Sequence, residues 1–387
     1  MRVLMLSTPL STHFTPMVPL AWALRGAGHD VVVAGQPDVT DAAHAAGLTT
    51  AVFGDRFHAV DLFKAGLRPG RRPLQEFGQP TPDQLNSTPQ VWRNHVSYYL
   101  DDYLELARAY RPNLVVSEQM EFSGRVIGAV LGVASLQFRW GVDPYTGAGE
   151  RLVGLFMGPM CERLGLGGGL PDPDLILDPC PPGLQLPNLP GAQPIRPVPY
   201  NGTGPLPDWV HEPKGRAHRV CVSLGNQTLA LNGMPLLKNI IAALATLPEV
   251  EAIVTAAAGH HAELGETPAN VRVVAPTPLT GFLEGCDAIV HHGGSGTSLT
   301  ACHAGVRQLV LPQIIDQFAT ARRLVATGAA LALDTAKDQD DPKVIAERLR
   351  ALLAGSGHAE AAHRLGVAAR GMPTPAALIP ALEELAA

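Results

Sequence analysis

Residues 287–305 read DAIVHHGGSGTSLTACHAG. A short apolar run ends in two adjacent histidines, crosses Gly293, Gly294 and Gly296, and enters a helix-like stretch. That order predicts a buried strand feeding a helix through a glycine-rich turn, the unit from which open parallel α/β sheets are built. Ligands of such sheets bind beyond the carboxyl ends of the strands, where the turn and the helix N-terminus offer free backbone N–H groups to phosphate oxygens. His292 can add a ring donor and Thr297 a hydroxyl. Neutral donors of this kind can hold a phosphate without lysine, because each charge-assisted hydrogen bond contributes roughly 1.5–3 kcal/mol. The missing lysine argues against a P-loop ATPase, which needs GxxxxGK[ST]. Neighbouring histidines on a strand point to opposite faces, which argues against a shared metal. On these residues alone, a plain strand-to-helix turn that binds nothing stays open beside the phosphate cradle.

The same grammar extends outward. The chain opens with the strand-like RVLML, the polar loop STPLSTHFTP, the helical stretch MVPLAWALRGAG and the strand-like HDVVVAG. Near residue 219 it restarts: RVCVSLG, NQTLALNG, MPLLKNIIAALATL, VEAIVTAA. NLVVSE and ASLQFRW add strands to the first half; VRVVA, DAIVHH, QLVLPQ and ALAL add them to the second. Strands alternating with helices predict right-handed crossovers and mainly parallel sheets, hence two doubly wound α/β units. Neither opening strand is followed by GxGxxG, which disfavours a redox Rossmann domain. The proline-rich residues 171–209 predict a boundary and semi-rigid linker, since proline continues neither helices nor inner strands. Residues 55–95 have no clear period and predict a long irregular segment able to line a pocket for a bulky apolar ligand.

Composition narrows the classes. The 387 residues are 46% hydrophobic and 17% charged with a net charge of −6, which predicts a folded chain rather than a disordered one. There is no long basic run, so nucleic acid and anionic membrane are not expected partners. The five scattered cysteines contain no CxxC pair and fit reduced, core-filling thiols of a cytoplasmic protein. No apolar run reaches the ~18 residues of a membrane span, and the N-terminal apolar run is too short for a signal sequence.

The stretch VRVVAPTPLTGFLEGCDAIVHHGGSGTSLTACHAGVRQLVLPQIIDQFATA carries, in order, a proline turn, HxGxGT, AGV and PQxxDQ. In this it resembles the nucleotide-diphosphosugar glycosyltransferases of the GT-B fold, particularly the bacterial enzymes that decorate polyketide antibiotics of the macrolide, angucycline and calicheamicin type. The resemblance covers both halves, including PVPYNGTG and the final MPTPAALIPALEELA. It implies two Rossmann-like domains facing a cleft: an acceptor domain over 1–205, a linker over 206–218, a nucleotide-sugar domain over 219–368, and a C-terminal helix over 369–387 that crosses back to the first domain.

By position, the resemblance makes His292, Gly293, Gly294, Gly296 and Thr297 the diphosphate cradle, with Ser223 and Asn226 opposite. Asp316 and Gln317 become the pair that contacts sugar hydroxyls, a role compatible with Asp316 capping the helix that follows. Many relatives carry tryptophan before the T-P-L turn where this chain has Pro276; main-chain groups around Thr277 and Leu279 are then expected to read the base. Uridine and thymidine both remain open on this ground, and the antibiotic-type resemblance favours thymidine.

His13 lies between the first strand and a helix start marked by Thr15 and Pro16, where a helix N-terminus favours the neutral ring that a general base needs. The resemblance places Glu118 as the carboxylate that orients this histidine, although aspartate is more usual there; Glu121 and Asp101 are fallback carboxylates. Phe63, Trp92 and Trp140 are expected in the acceptor pocket, with a core position as the other reading of Trp140.

Together these imply an inverting, metal-independent transferase without a cofactor. It would move a deoxysugar from a TDP-sugar to an apolar aromatic or polyketide aglycone, through oxygen or carbon, as a monomer or homodimer. A sugar-nucleotide epimerase of the same fold and a non-catalytic sugar-nucleotide-binding protein are the alternatives.

Overall fold

A computed structural model describes all 387 residues. The first half holds β1 (Arg2–Leu6), β2 (Asp30–Gly35), β3 (Thr49–Val52), β4 (Leu114–Glu118), β5 (Ala134–Phe138), β6 (Leu175–Asp178) and β7 (Gln193–Pro194) in the order β3-β2-β1-β4-β5-β6-β7. The second holds β8 (His218–Ser223), β9 (Val250–Thr255), β10 (Val271–Val274), β11 (Ala288–His291), β12 (Arg307–Val310) and β13 (Ala330–Ala332) in the order β10-β9-β8-β11-β12-β13. Every pairing is parallel, as in Arg2↔Asp30 and Ala288↔Val220. The strands are runs of Val, Leu, Ile and Ala with little polar alternation, because helices cover both faces of each sheet. In both sheets the strand order reverses beside the first strand of the unit, between β1 and β4 and between β8 and β11. Crevices for ligands open at such switch points.

Two segments differ from the sequence reading. Residues 171–209 are not merely a linker: β6 and β7 lie within them and extend the first sheet. Proline is tolerated there because β7 is an edge strand and Pro179 follows the last residue of β6. Residues 55–95 are mostly helical, with helices at Ala59–Ala65, Pro73–Phe77, Pro82–Ser87 and the start of Pro89–Tyr110. Three of these begin on proline at the first helical position, where the missing N–H costs nothing. Thr81 and Gln84 form a capping box at the second of the three.

The first sheet is sandwiched by two apolar clusters. One of them includes Leu378, Ile379 and Leu382 from the C-terminal helix, each buried side chain contributing roughly 1.5–3 kcal/mol. A further cluster joins Val142, Cys180 and Leu184 of the first half to Leu299, Cys302 and Leu324 of the second. All five cysteines are buried and unpaired, and burial pushes the Cys286 thiol up to about 12. One helical run, Gly225–Ala245, is long and apolar enough to cross a membrane by length and composition. Most of it is packed inside the second core, and it is broken at Asn232, whose backbone is left-handed (φ 63°).

Candidate functional site

The turn after β11 is built by His291. Its buried ring approaches Gln308 Oε1 through Nε2 at 3.0 Å and accepts the Gly293 N–H at Nδ1 at 3.1 Å, so it is spent on holding the turn. Gly293 has φ +87°, and an added Cβ would lie 3.0 Å from Val310 and 3.2 Å from the Gln317 carbonyl; no other residue fits there. The helix Ser295–Ala304 then starts without a side-chain cap, and its first backbone bond is Ser298 N–H to the Gly294 carbonyl at 2.9 Å. The N–H groups of Ser295, Gly296 and Thr297 are therefore left for a ligand. Gly296 is exposed with open space above it.

His292 stands beside this turn, its ring packed against Gly225 after β8, and its Nδ1 is buried without a hydrogen bond. Burial holds it down to about 4, with the Ser223 carbonyl opposing, so at neutral pH it is an uncharged ring. His291 is held down to about 3, again chiefly by burial. Ser223 is half-buried at the end of β8, and Asn226 is exposed in the turn that follows. Thr277 and Leu279 lie in the loop after β10. Leu279 is in the core, and the Thr277 hydroxyl donates to the Ala275 carbonyl at 3.0 Å. Trp209, which the sequence reading did not single out, packs edge-on against Phe282 over that loop at 5.1 Å.

Across the cleft, His13 lies within a helical turn, Ser11–Phe14, that runs on into Val18–Gly26; the helical run starts earlier than Thr15 and Pro16 indicated. Its Nδ1 lies 2.8 Å from Thr8 Oγ1, and the Thr8 hydroxyl donates to Glu118 Oε1 at 2.7 Å. The carboxylate itself is 3.7 Å from Nδ1. Glu118 thus reaches the histidine through a hydroxyl rather than directly. Because the Thr8 proton is given to the carboxylate, Nδ1 must carry the proton donated to Thr8, which leaves Nε2 bare. Two backbone donors fix the carboxylate further, Thr8 N–H at 3.1 Å and Met120 N–H at 2.7 Å.

Trp140 stacks on the His13 ring with centroids 3.9 Å apart and planes at 19°, and Trp92 meets it edge-on at 6.2 Å. Both tryptophans are largely buried, so Trp140 is at once core and wall of the site. Phe63 is not brought to this cluster: it is 40% exposed, on the helix Ala59–Ala65 that lies over residues 229–233. Glu121 is 3.1 Å from His95 instead of His13, and Asp101 is exposed on its helix. Nothing in the sequence marked Thr8, which stands five residues before His13 in a polar loop.

Asp316 comes from the second half. Burial pushes its carboxyl up, with the charge of His13 the strongest opposing influence and the Tyr145 hydroxyl a weaker one. It occupies the first helical position and makes no cap; Ile315 precedes it at φ 24°, ψ −97°. Gln317 Oε1 accepts the N–H groups of Gln313 at 2.9 Å and Ile314 at 3.2 Å, which leaves only its NH2 end for a sugar hydroxyl. Gly141, after Trp140, faces Ser295 so closely that an added Cβ would lie 2.5 Å from Ser295 Oγ. The two halves of the site therefore touch. No group of three His, Cys, Asp or Glu side chains is arranged to hold a metal ion.

Residues 22–225 match the N-terminal domain, and residues 238–385 the C-terminal domain, of the erythromycin biosynthesis protein CIII-like family. The 10-deoxymethynolide desosaminyltransferase of Streptomyces venezuelae is 33% identical over 420 residues, spanning 100% of this chain and 97% of the relative. The TDP-daunosamine transferase DnrS of Streptomyces peucetius is 32% identical over 426 residues, with the same coverage. Among solved structures, the spinosyn rhamnosyltransferase SpnG complexed with thymidine diphosphate superposes with a TM-score of 0.88 at 38% identity, covering 99% of this chain and 100% of that one.

Proposed function

The chain belongs to the erythromycin biosynthesis protein CIII-like family and is a nucleotide-sugar-dependent glycosyltransferase of the GT-B fold, and from that premise we propose that it moves a deoxysugar from a TDP-sugar to a polyketide aglycone with inversion and without a divalent metal. Its relatives over the whole chain are transferases, so the epimerase and the non-catalytic binding protein give way.

The observation that carries the proposal is the relay from Glu118 through Thr8 to His13, which leaves Nε2 bare. His13 Nε2 takes the acceptor proton as the acceptor oxygen attacks the anomeric carbon. The bond from that carbon to the β-phosphate oxygen breaks, and TDP leaves from the opposite face. The imidazolium that forms is steadied through Thr8 by the Glu118 carboxylate. Negative charge growing on the leaving diphosphate meets the unpaired N–H groups of Ser295, Gly296 and Thr297 and the uncharged His292 ring. This compensation is built into the protein and is the ground for proposing that no metal is required. An electron-rich aromatic carbon beside a phenol would use the same base for C-glycosylation.

Asp316 and the NH2 of Gln317 are assigned to sugar hydroxyls, and main-chain groups near Thr277 and Leu279 to the base, with Ser223 and Asn226 at the rim of the diphosphate site. Trp92 and Trp140 line the acceptor side next to the base. We further assign the chain to the cytoplasm as a soluble monomer or homodimer, with a sugar nucleotide and an apolar small molecule as its partners.

The test is calorimetric binding of TDP against UDP, NAD and ATP in EDTA, on wild type and His292→Ala. Selective binding of TDP that the substitution weakens supports the donor site and its metal independence. Failure of both pyrimidine diphosphates to bind removes the donor assignment.

A further inference from the structure

The segment that carries the helices Ala59–Ala65 and Pro73–Phe77 belongs to the first half in sequence but docks on the second. Arg72 is only 1% exposed, and all three of its guanidinium nitrogens reach across: Nε donates to Gln313 Oε1 at 3.1 Å, Nη2 to Gln339 Oε1 at 3.3 Å and Nη1 to Asp340 Oδ1 at 2.6 Å. Two more bonds flank it. Asn232, at the break in the Gly225–Ala245 run, donates to the Arg71 carbonyl at 2.8 Å, and Gln75 donates to Asp340 Oδ2 at 2.9 Å. A guanidinium stripped of water is tolerated only with its partners in place. The strap is therefore either docked with this network complete or detached from it.

What Arg72 docks on is the first half of the PQIIDQ loop. Gln313 Nε2 donates to Gln339 Oε1 at 2.7 Å and to the Leu311 carbonyl at 2.9 Å, while Gln339 Nε2 donates to the Leu333 carbonyl at 2.7 Å. The Gln313 main chain in turn holds Gln317 Oε1 at 2.9 Å. Between these two glutamines lies Ile315, a β-branched residue at φ 24°, ψ −97°. Such a backbone is strained and persists only where its surroundings over-determine it. Gln317 fixes the loop from inside, and Arg72 fixes it from the other domain.

We propose that Arg72 is a positioning residue for the donor sugar: by docking the 59–79 strap onto Gln313, Gln339 and Asp340 it holds the 313–317 loop in the shape that aims Asp316 and the Gln317 amide at the hexose. The proposal rests on the donor-sugar assignment made above. It predicts that the strap governs how the sugar is gripped while leaving the nucleotide alone, because the unpaired N–H groups at Ser295–Thr297 belong to a separate helix.

The experiment is hydrogen exchange by mass spectrometry on the full chain, wild type against Arg72→Ala, with calorimetric titration of TDP, TDP-glucose and TDP-rhamnose in parallel. Arg72→Lys keeps the stem and the charge but not the fork, and it carries the same test if the alanine variant does not fold. The expected result is at least tenfold faster exchange over 311–319, TDP affinity within twofold of wild type, and at least fivefold weaker binding of whichever TDP-hexose the wild type takes. Unchanged exchange over 311–319, or equal weakening of TDP and TDP-hexose, overturns the proposal while the donor assignment stands. A wild type that binds neither TDP nor either TDP-hexose removes the donor assignment and the proposal with it.

Discussion

Replacing Thr8 by valine removes one hydroxyl from the centre of the relay while nearly preserving shape. In the wild type, the hydroxyl oxygen is 2.8 Å from His13 Nδ1 and 2.7 Å from the carboxylate, whereas histidine and carboxylate are 3.7 Å apart. Valine cannot close that gap. The imidazolium formed during transfer loses a charge-assisted hydrogen bond worth roughly 1.5–3 kcal/mol, and the tautomer with bare Nε2 loses its fixing partner. At about 1.36 kcal/mol per factor of ten, kcat should fall roughly 10- to 150-fold. Glu118 keeps its two backbone donors, so it stays in place and still attracts the imidazolium. The loss should therefore be smaller than that of His13→Ala, which forfeits general-base help worth about 10²- to 10⁴-fold. The assay is chromatographic detection of product from a TDP-hexose and a panel of polyketide aglycones, with TDP binding measured alongside and expected to be unchanged. A Thr8→Val enzyme with at least half of wild-type kcat, beside an inactive His13→Ala, would show that Glu118 acts without the hydroxyl and refute the relay.

His292→Ala should weaken TDP binding in EDTA by about one charge-assisted hydrogen bond, roughly 10-fold or more, while the thermal midpoint moves little; an unchanged Kd counts against the ring as a diphosphate donor. Gly141→Ala places a methyl group 2.5 Å from Ser295 Oγ, so it should raise KM for donor and acceptor together by holding the halves of the site apart, and separate effects on the two would contradict that. Acid lability should begin near pH 6.5. His291 and His292 are depressed to about 3 and about 4 in the folded chain, so between pH 6.5 and those values the unfolded chain binds more protons. Stability then falls with falling pH by up to about 1.4 kcal/mol per unit for each ring. Denaturant melts at pH 7, 6 and 5 check this, and a flat profile would mean that the rings are solvated.

Much of the architecture could be read from the chain because its strands are uninterrupted apolar runs. RVLML, NLVVSE and DAIVHH each carry the signature of a strand covered on both faces, and a glycine-rich turn after DAIVHH announces a helix. The missed elements failed for a local reason. LILD at 175–178 is a strand flanked by prolines, and the helices of 55–95 are too short to show a period, three of them starting on proline, which marks a helix start as readily as a loop. The site was legible where backbone chemistry dictates sequence, as at Gly293. It was not legible where contact depends on folding: Thr8 and Glu118 are 110 residues apart, and only the pairing of β1 with β4 brings them together. Nor does the sequence tell that the turn Gln317 supports has already taken its amide oxygen, leaving the NH2 end for a sugar.

The C-terminal helix has a bearing on how the protein is made. Leu378, Ile379 and Leu382 complete the apolar cluster beneath the first sheet, and Arg196 binds the Met372 and Pro373 carbonyls at 3.1 and 2.7 Å. The domain translated first is thus finished by residues translated after the whole second domain. On the ribosome the first sheet waits with one face unsealed while the second domain can close on its own. A chain cut before Leu378 would keep the nucleotide-sugar domain and leave the acceptor domain open, an asymmetry that a pulse-proteolysis time course during synthesis would display directly.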